Sequence, residues 1–414
     1  MLRHRNSRVL FLKVLSEERI HQPRQSGASR QDAGRAGDGP VIRRHLTLVI
    51  SSLGSGGAER VLTILANSWV NRGAQVTLIT LDASVPFYPL DPRVSLRPLG
   101  VTGVSTNLFI ATRNNLRRVG SLRRAIRESH PDAVVSFVDV TNVLTVLATR
   151  GLGVPVLLSE RSDPAFSPVG KTFRFLRRHT YPRAEALVVQ SKEARSFFSP
   201  AIQARANVIP NPVVPAGRIR REESAPSVSG RTVVSLGRLS KEKGFDLLID
   251  GFARIASSRP EWSLEIWGEG PERPFLQKMV AERRLTERIQ LPGETRSPQE
   301  ALLRADLFVL SSRFEGFPNA LCEAMACGLP VLAADCPSGP RQIVRSEVDG
   351  ILIPPEDPAA LAEGMRRLME DAELRRRLAR RAPEVVERFS LDRVLGLWDT
   401  TLEEAARRRT RSSA

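Results

Sequence analysis

Two carboxylates in the second half of the chain have a spacing that suits the binding of hydroxyl pairs. Glu315 and Glu323 occur in the run SSRFEGFPNALCEAMACG, which spans 311–328. Pro318 suits the first turn of a helix and Gly328 suits the end of one, so the run predicts Glu323 on a helix. Glu315 then belongs to the loop before that helix. Carboxylates at such a corner can accept hydrogen bonds from the vicinal hydroxyls of sugars and riboses.

Two glycine-rich turns suggest a second kind of chemistry, the binding of phosphate. GSGGAER at 54–60 and GRLSKEKG at 237–244 each follow an apolar run and precede a helical pattern. Glycines let backbone N–H groups approach a phosphate, and a helix N-terminus adds partial positive charge. In the second turn, Arg238 and Lys243 flank these amides and suit a diphosphate. A solvated basic pair on a surface turn is the alternative.

The first turn also fits part of a dinucleotide-binding fingerprint. Gly54 and Gly56 match G-x-G, and Asp82 closes the next strand where a ribose-binding acid would lie. Glu59, however, occupies the third glycine position, where its carboxylate would repel a pyrophosphate. Contact with a substrate or its phosphate through Gly56 and Gly57 is therefore favoured over NAD binding. A purely structural tight turn is the third interpretation.

The elements that must position these residues are short apolar strands that alternate with helical patterns. In the first half they are the runs at 46–51, 75–81, 94–99, 132–138, 154–159 and 185–190, and in the second half those at 232–237, 263–268, 288–293, 306–312, 329–334 and 350–354. Continuous apolar strands between helices predict parallel sheets covered on both faces. The expected fold class is α/β, with two Rossmann-like doubly wound domains facing each other across a cleft. Substrates should bind there, at the carboxyl ends of the strands.

Composition divides the chain into five segments. We expect a disordered basic tail at 1–45, an N-terminal Rossmann-like domain at 46–215, a Pro- and Ser-rich linker at 216–230, a C-terminal Rossmann-like domain at 231–390, and a final helix and tail at 391–414 that could brace both domains.

Several short motifs, taken in their order along the chain, resemble those of the retaining glycosyltransferases of family 4, also called glycosyl transferases group 1. These enzymes have the two-domain GT-B architecture. The matching segments are the E-x7-E pair, GRL-x-x-x-KG at 237–244, GEGPE at 268–272, EGFP-x-x-L-x-EAMACG-x-PV from Glu315 onward, and DCPSGP at 335–340. SERSDP at 159–164 and DCPSGP make the chain similar to the branch that extends polyprenyl-diphosphate-linked oligosaccharides.

The resemblance implies that 46–215 is the acceptor-binding domain and 231–390 the nucleotide-sugar-binding domain. It also implies a role for each matching position. Arg238 and Lys243 would hold the donor diphosphate, Glu323 the ribose hydroxyls, and Glu315 the hydroxyls of the transferred sugar. Arg238, Lys243 and Glu315 are accordingly the candidate catalytic residues. The resemblance also places near the donor Gly268, the loop 291–293, Gly316, Phe317 and Asn319, and from the opposite domain Gly56 and Gly57.

The resemblance further implies a reaction that retains the anomeric configuration by an internal-return, front-face route. The donor would be a nucleotide diphosphate sugar, UDP-linked and carrying a hexose or N-acetylhexosamine. Charge that develops on the departing diphosphate would then set the barrier, and Arg238 and Lys243 would stabilise it. The sequence contains no D-x-D motif, so we expect transfer without a metal or other cofactor.

The acceptor side is less distinct in the sequence. Many family members carry a histidine after the strand that corresponds to 132–138, whereas this chain has Asp139 there. Asp139 is a candidate base, and a helix N-cap or a solvated acid is the alternative. If the leaving phosphate accepts the proton of the acceptor, no protein base is required.

Positive charge is concentrated in the first half of the chain. The formal net charge is +17, and within 46–215 basic residues outnumber acidic ones 20 to 10. One helical stretch gathers Arg113, Arg117, Arg118, Arg123, Arg124 and Arg127. A second combines the basic residues Lys171, Arg174, Arg177 and Arg178 with Phe173, Phe175 and Leu176. Lys171 and Arg174 are candidate acceptor-side residues for a lipid diphosphate, and these surfaces suit anionic lipid heads. Solvated helix faces are the alternative.

These features predict a cytoplasmic protein attached peripherally to the inner face of the cell membrane. No apolar run reaches the roughly 18–20 residues of a membrane-spanning helix. The three cysteines have no disulfide-like spacing, which favours a reducing compartment.

Two rival functions stay open from the sequence. A nucleic-acid-binding module would explain the charge, but Glu315 and Glu323 would sit poorly against a phosphate backbone, so we expect no nucleic-acid partner. A sugar-nucleotide epimerase or a phosphorylase would use the same architecture. The released products distinguish these enzymes from a transferase.

Overall fold

The computed structural model describes residues 44–102, 108–166, 170–216 and 231–413. The predicted disordered tail, apart from residues 44 and 45, and nearly all of the predicted linker lie outside the described residues. The rest of the chain forms two parallel sheets with helices on both faces, which confirms the predicted fold class.

The first sheet has seven strands in the order β3-β2-β1-β4-β5-β6-β7, and all neighbouring strands are parallel. Its strands are β1 (His45–Ile50), β2 (Gln75–Thr80), β3 (Ser95–Pro98), β4 (Ala133–Phe137), β5 (Val156–Ser159), β6 (Ala186–Val189) and β7 (Ala206–Val208). The last strand was not predicted, because three residues give too short an apolar run to recognise. The reversal of strand order beside β1 is the switch point at which doubly wound folds bind ligands.

The second sheet has six parallel strands in the order β10-β9-β8-β11-β12-β13. Its strands are β8 (Arg231–Leu236), β9 (Trp262–Trp267), β10 (Ile289–Gly293), β11 (Leu307–Leu310), β12 (Val331–Ala334) and β13 (Ile351–Ile353). In this sheet the strand order reverses beside β8, as it reverses beside β1 in the first sheet. The two sheets therefore share the same topology around their switch points.

The helices fall into four layers. The first half contains α1 (Gly57–Asn71), α2 (Leu108–Ser129), α3 (Asp139–Thr149), α4 (Lys171–Thr180), α5 (Lys192–Ser196) and α6 (Pro200–Gln203). The second half contains α7 (Phe245–Ile255), α8 (Arg273–Glu282), α9 (Pro298–Arg304), α10 (Asn319–Ala326), α11 (Pro340–Ile343), α12 (Pro358–Glu370), α13 (Ala372–Arg381), α14 (Glu384–Arg388) and α15 (Leu391–Ser413). Short 3-10 helices occupy Tyr181–Arg183, Lys241–Lys243 and Ala256–Ser258.

Each sheet is covered on both faces, which explains why strands such as β4, β6, β11 and β12 are apolar without alternation. Strand β9 alternates instead, and β3 and β10 are partly exposed. On the first sheet, α1 and α15 cover one face and α2, α3 and α4 the other. On the second sheet, α7, α8, α12 and α13 cover one face and α9, α10 and α14 the other. None of the described helices is long and apolar enough to cross a membrane. All three cysteines are free.

The final helix, α15, leaves the second half of the chain and packs on the first sheet. The ring of Trp398 lies 6.0 Å from that of Trp69 and 5.9 Å from that of Phe137. Just before it, the Val213 backbone N–H donates to the Phe389 carbonyl oxygen at 2.8 Å. The chain therefore returns from the second sheet to cover the first.

Candidate active site

A cleft of about 750 Å³ lies between the two sheets, at the carboxyl ends of their strands. Its walls include 54–60 after β1, Arg161 after β5, Gln190 after β6, Asn211 after β7, Gly237 and Arg238 after β8, 267–270 at the end of β9, and 314–320 after β11. Both glycine-rich turns and both carboxylates of the E-x7-E pair therefore line one cavity.

Lys243 and Glu315 form an ion pair inside this cleft. The Lys243 ammonium donates to Glu315 Oε1 at 2.7 Å and Oε2 at 2.9 Å, and the Ser312 hydroxyl donates to Oε1 at 2.7 Å. The Glu315 side chain is 7% exposed, so the lysine and the hydroxyl replace the water that the carboxylate has lost. The loop position predicted for Glu315 is confirmed, because α10 begins only at Asn319.

A left-handed glycine shapes the turn that presents Lys243. Gly244 has φ 62°, and a Cβ added there would lie 2.1 Å from the Ser311 carbonyl oxygen. The Ser311 hydroxyl in turn donates to the Lys243 carbonyl oxygen at 3.0 Å. Only glycine allows the backbone at 244 to come this close to Ser311, which follows β11. This contact holds the turn of Lys243 next to the segment that carries Glu315.

Arg238 is exposed on the same turn. Its side chain makes no hydrogen bond or ion pair with any residue in the described ranges, and it lines the cleft. The turn packs against Gly268, which has φ 142° and whose added Cβ would lie 1.9 Å from the Gly237 carbonyl oxygen. The Gly268 backbone N–H donates to the Gly293 carbonyl oxygen at 2.8 Å. Residues 291–293, expected as a loop, are the irregular end of β10 beside Gly268 and are not among the described residues that line the cleft.

Glu323 lies on α10, as predicted, and is paired across the cleft with Arg60 of α1. The two side chains are 16% and 22% exposed. Burial raises the pKa of Glu323, and the Arg60 guanidinium opposes that shift. The sequence patterns did not single out Arg60 as a partner, because no spacing rule relates residues that are 263 positions apart.

Tyr88 completes the surroundings of Arg60. Its hydroxyl donates to the Ser55 carbonyl oxygen at 2.7 Å, and the Arg60 guanidinium lies 5.9 Å from the centre of its ring. Burial raises the pKa of Tyr88 to about 12. The phenol therefore acts as a neutral hydrogen-bonding wall at physiological pH.

The remaining predicted donor-side residues also meet in the cleft. Gly56, Gly57, Gly316, Phe317 and Asn319 all line it. The Asn319 amide donates to the Gly57 carbonyl oxygen at 3.4 Å, so the start of α10 touches the start of α1. The structure thus brings together from two domains the residues that the sequence placed 262 positions apart.

A polar cluster that the sequence patterns did not assign faces Gly316. Arg161 stacks on the ring of Phe137 at 4.8 Å and donates to Asn211 Oδ1. Gln190 Nε2 also donates to this oxygen, at 2.8 Å. Burial lowers the pKa of Arg161 to about 9. Within the described chain, Arg161 Nε and Gln190 Oε1 are buried without a hydrogen-bond partner.

One sequence signal for this cluster existed. Arg161 belongs to SERSDP, where a cation stands two residues after the end of the apolar strand β5. A charged residue at the carboxyl end of a buried parallel strand is a site signal in doubly wound folds.

The candidate acceptor-side residues lie away from this cavity. Asp139 begins α3, where its carboxylate accepts from the Val140 backbone N–H at 2.6 Å. Lys171 and Arg174 are exposed on α4. None of the three is among the described residues that line the cleft. Their assignment to the acceptor stays a prediction.

The charge pattern defines what the cleft can bind. Among the described residues, four cations line it: Arg60 and Lys243 are paired with carboxylates, and Arg161 and Arg238 are not. No group of three or more His, Cys, Asp or Glu in the described chain is arranged to hold a metal ion. The cleft therefore offers cations to an anion beside carboxylates that accept from hydroxyls, an arrangement suited to a phosphorylated sugar compound.

Comparison with known proteins defines the class as a glycosyltransferase with the GT-B fold. Residues 218–385 match the family model "Glycosyl transferases group 1", and residues 56–212 match "Glycosyl transferase 4-like domain". The chain belongs to the glycosyl transferases group 1, and the predicted membership of this family is confirmed.

Relatives are found over nearly the whole chain. A Campylobacter jejuni enzyme is 27% identical over 85% of this chain and 96% of its own length; it is named GalNAc-alpha-(1->4)-GalNAc-alpha-(1->3)-diNAcBac-PP-undecaprenol alpha-1,4-N-acetyl-D-galactosaminyltransferase. An amylovoran biosynthesis glycosyltransferase of Erwinia amylovora is 24% identical over 86% of this chain and 99% of its own length. Among solved structures, Anabaena HepE in complex with UDP and glucose has a TM-score of 0.71 at 20% identity, covering 87% of this chain and 100% of that one.

Proposed function

We propose that this glycosyltransferase moves a hexose or N-acetylhexosamine from a UDP-linked donor to a polyprenyl-diphosphate-linked glycan during cell-surface glycan synthesis. The observation that carries the proposal is the pairing of Lys243 with Glu315 and of Arg60 with Glu323 on one cleft, with Arg238 unpaired beside them. The undecaprenol-linked acceptor in the name of the Campylobacter relative and the UDP bound by Anabaena HepE support the two substrates.

The proposed roles follow from charge and from hydrogen-bonding capacity. Lys243 and Arg238 hold the donor diphosphate, because they are the cations of the glycine-rich turn that line the cleft. Glu315 accepts hydrogen bonds from hydroxyls of the transferred sugar, and Glu323 accepts from those of the ribose. Gly268, Gly316, Phe317 and Asn319 line the space around these groups, and Gly56 and Gly57 line it from the opposite domain.

The proposed reaction retains the anomeric configuration. The bond from the anomeric carbon to the diphosphate oxygen breaks, and the acceptor oxygen bonds to the same carbon on the same face. The acceptor proton passes to the departing phosphate oxygen, so no protein base is needed. Lys243 and Arg238 stabilise the charge that this oxygen gains. These cations do the work of a divalent ion, so we expect turnover to survive EDTA.

The two domains divide the substrates. We propose that 46–215 binds the acceptor and 231–390 the nucleotide sugar, with α15 bracing the pair. In this division the diphosphate-binding turn, Gly237 to Gly244, belongs to the second domain. The donor diphosphate then lies on the side of the cleft that the second domain forms, and the acceptor lies on the side that the first domain forms.

We also propose peripheral attachment to the anionic inner face of the cell membrane through α2 and α4, which pack in one layer on the first sheet. Leu116 is 69% exposed next to exposed Arg117, and Phe175 is 62% exposed next to exposed Arg174. Apolar side chains flanked by cations suit insertion between anionic lipid heads. Vesicles that contain phosphatidylglycerol should sediment the enzyme, and high salt should release it. Equal binding to neutral vesicles would contradict this attachment.

The function is tested by acceptor-dependent release of the nucleotide. A panel of nucleotide sugars is incubated with an undecaprenyl-diphosphate-linked N-acetylhexosamine acceptor, and NMR of the product gives the anomeric configuration. We expect nucleoside diphosphate and an α-linked product from an α-linked donor. Epimerised nucleotide sugar or sugar 1-phosphate would instead identify an epimerase or a phosphorylase, and inverted product would refute the retaining route.

A further inference from the structure

A second cavity of about 620 Å³ lies beside the cleft and shares no lining residue with it. Its walls come from both domains. Phe166 follows β5 and Glu193 lies on α5, while Asp335 follows β12 and Gln342 lies on α11. None of the proposed donor contacts lies in this second cavity.

Stacked aromatic rings separate the two cavities. Phe166 faces the second cavity and is 41% exposed. Its ring stacks on that of Phe314 at 5.7 Å with an angle of 21° between planes, and Phe314 lines the cleft directly before Glu315. The Glu315 backbone N–H also donates, at 3.4 Å, to the carbonyl oxygen of Pro337 in the wall of the second cavity. The second cavity is therefore the neighbour of the cleft on the side of Glu315.

The chemistry of the second cavity disfavours an anion. Three carboxylates, from Asp163, Glu193 and Asp335, line it against the one cation Arg341 among its described residues. Arg341 is already held by Asp335 at 2.7 and 2.9 Å. A lipid diphosphate would be repelled here.

A carbohydrate matches the same walls. Carboxylate oxygens accept from sugar hydroxyls, and the Gln342 amide, which now donates to Glu193 at 2.8 Å, can donate to ring or acetamido oxygens. A half-exposed phenyl ring offers a flat apolar face to the C–H side of a pyranose. An exposed aromatic ring with a few convergent polar groups is the usual make-up of such a site.

We propose that the second cavity binds the sugars of the acceptor glycan that lie beyond the sugar receiving the new residue. This inference rests on the proposed function. It makes the preferred acceptor a neutral or N-acetylated glycan of at least two sugars. The lipid diphosphate at the reducing end of this glycan lies outside the second cavity. Cations are available to it there.

The test compares acceptors of different length. Undecaprenyl-diphosphate-linked N-acetylhexosamine acceptors of one, two and three sugars are assayed for nucleotide release with the wild type, Phe166→Ala and Gln342→Ala. The matched control is Phe275→Ala, which removes a phenylalanine that is 52% exposed on α8 and lines neither cavity. Circular dichroism and donor hydrolysis without acceptor check the fold and the donor site of each variant.

We expect Phe166→Ala to raise KM for the three-sugar acceptor about five- to tenfold and to change KM for the one-sugar acceptor less than twofold. Gln342→Ala, an exposed change that spares the fold, should act in the same direction. Equal losses on all three acceptors, or none, would overturn the inference while transfer itself stands. Absence of nucleotide release with every acceptor would instead refute the proposed function.

Discussion

Replacing Lys243 by alanine tests the charge arrangement of the cleft most directly. The ammonium contacts both oxygens of Glu315 at 2.7 and 2.9 Å, and it is also the proposed partner of the donor diphosphate. The substitution therefore removes two things: a cation that stabilises the leaving group and the counterion of a carboxylate that is 7% exposed. Catalysis and stability should both suffer, for separable reasons.

The expected sizes follow from the burial of the pair. Loss of one preorganised group that stabilises developing charge lowers kcat by about 10²- to 10³-fold. Breaking a buried ion pair costs about 3–5 kcal/mol, and Lys243 is 25% exposed, so the lower end of that range is expected for the free energy of unfolding. Neutralising the stranded carboxylate should recover most of this loss, because the Ser312 hydroxyl still donates to a glutamine at 315.

The assay is a double-mutant cycle of Lys243→Ala, Glu315→Gln and both together, read by urea unfolding and by kcat for nucleotide release. The double variant should be more stable than Lys243→Ala and no more active. The control Lys278→Ala removes a lysine that is 75% exposed on α8 and should change neither quantity. Wild-type kcat in Lys243→Ala, or recovered kcat in the double variant, would refute the leaving-group role.

Three further outcomes are expected. Burial raises the pKa of Glu160 to about 7, although the Tyr181 hydroxyl that donates to it opposes the shift. The folded protein therefore holds this proton more tightly than the unfolded chain; stability should fall by about 2.6 kcal/mol from pH 4.5 to 7, and Glu160→Gln should flatten that part of the unfolding profile. Gly268→Ala should cost at least about 2 kcal/mol in urea unfolding, whereas Gly120→Ala, whose methyl meets no atom within 4 Å, should stabilise α2 by about 0.5–1 kcal/mol. Arg161→Met removes a partly buried cation that no carboxylate of the described chain pairs, so Tm should rise. Because this cation lines the cleft, we expect it to attract the donor phosphates, so kcat should fall, and an unchanged kcat would exclude that contact.

Most of the fold was readable from the sequence because parallel sheets leave a strong signal. Strands buried on both faces are continuous apolar runs, and the helices between them give the alternating pattern of doubly wound domains. The strand β7 escaped, since Ala206–Val208 offers only three residues. The packing of α15 on the first sheet could not be predicted from its periodicity either. An amphipathic pattern shows that a helix has an apolar face, but it does not identify the surface that covers that face.

The candidate site was readable where its parts are local in sequence. Glycine turns and the E-x7-E pair are local patterns, and the structure places them on one cleft. Arg60 and Arg161 were missed as site residues because their importance comes from partners far along the chain. Only the approach of the two domains brings Arg60 to Glu323, and no spacing within either segment encodes that approach.

The two ion pairs explain why a complete nucleotide sugar should bind in the cleft more favourably than a phosphate compound or a free sugar alone. Under the proposed roles, a diphosphate binds Lys243 only as Glu315 loses its counterion, and Glu315 then needs the hydroxyls of a sugar to replace it. Glu323 exchanges Arg60 for ribose hydroxyls in the same way. A ligand that brings phosphates without the sugar leaves a buried carboxylate unpaired, and a free sugar leaves the cations unused. Lys243, Glu315 and Glu323 all find new partners only when diphosphate, ribose and sugar bind together. Only the complete donor therefore offsets the free energy that is lost when the ion pairs separate.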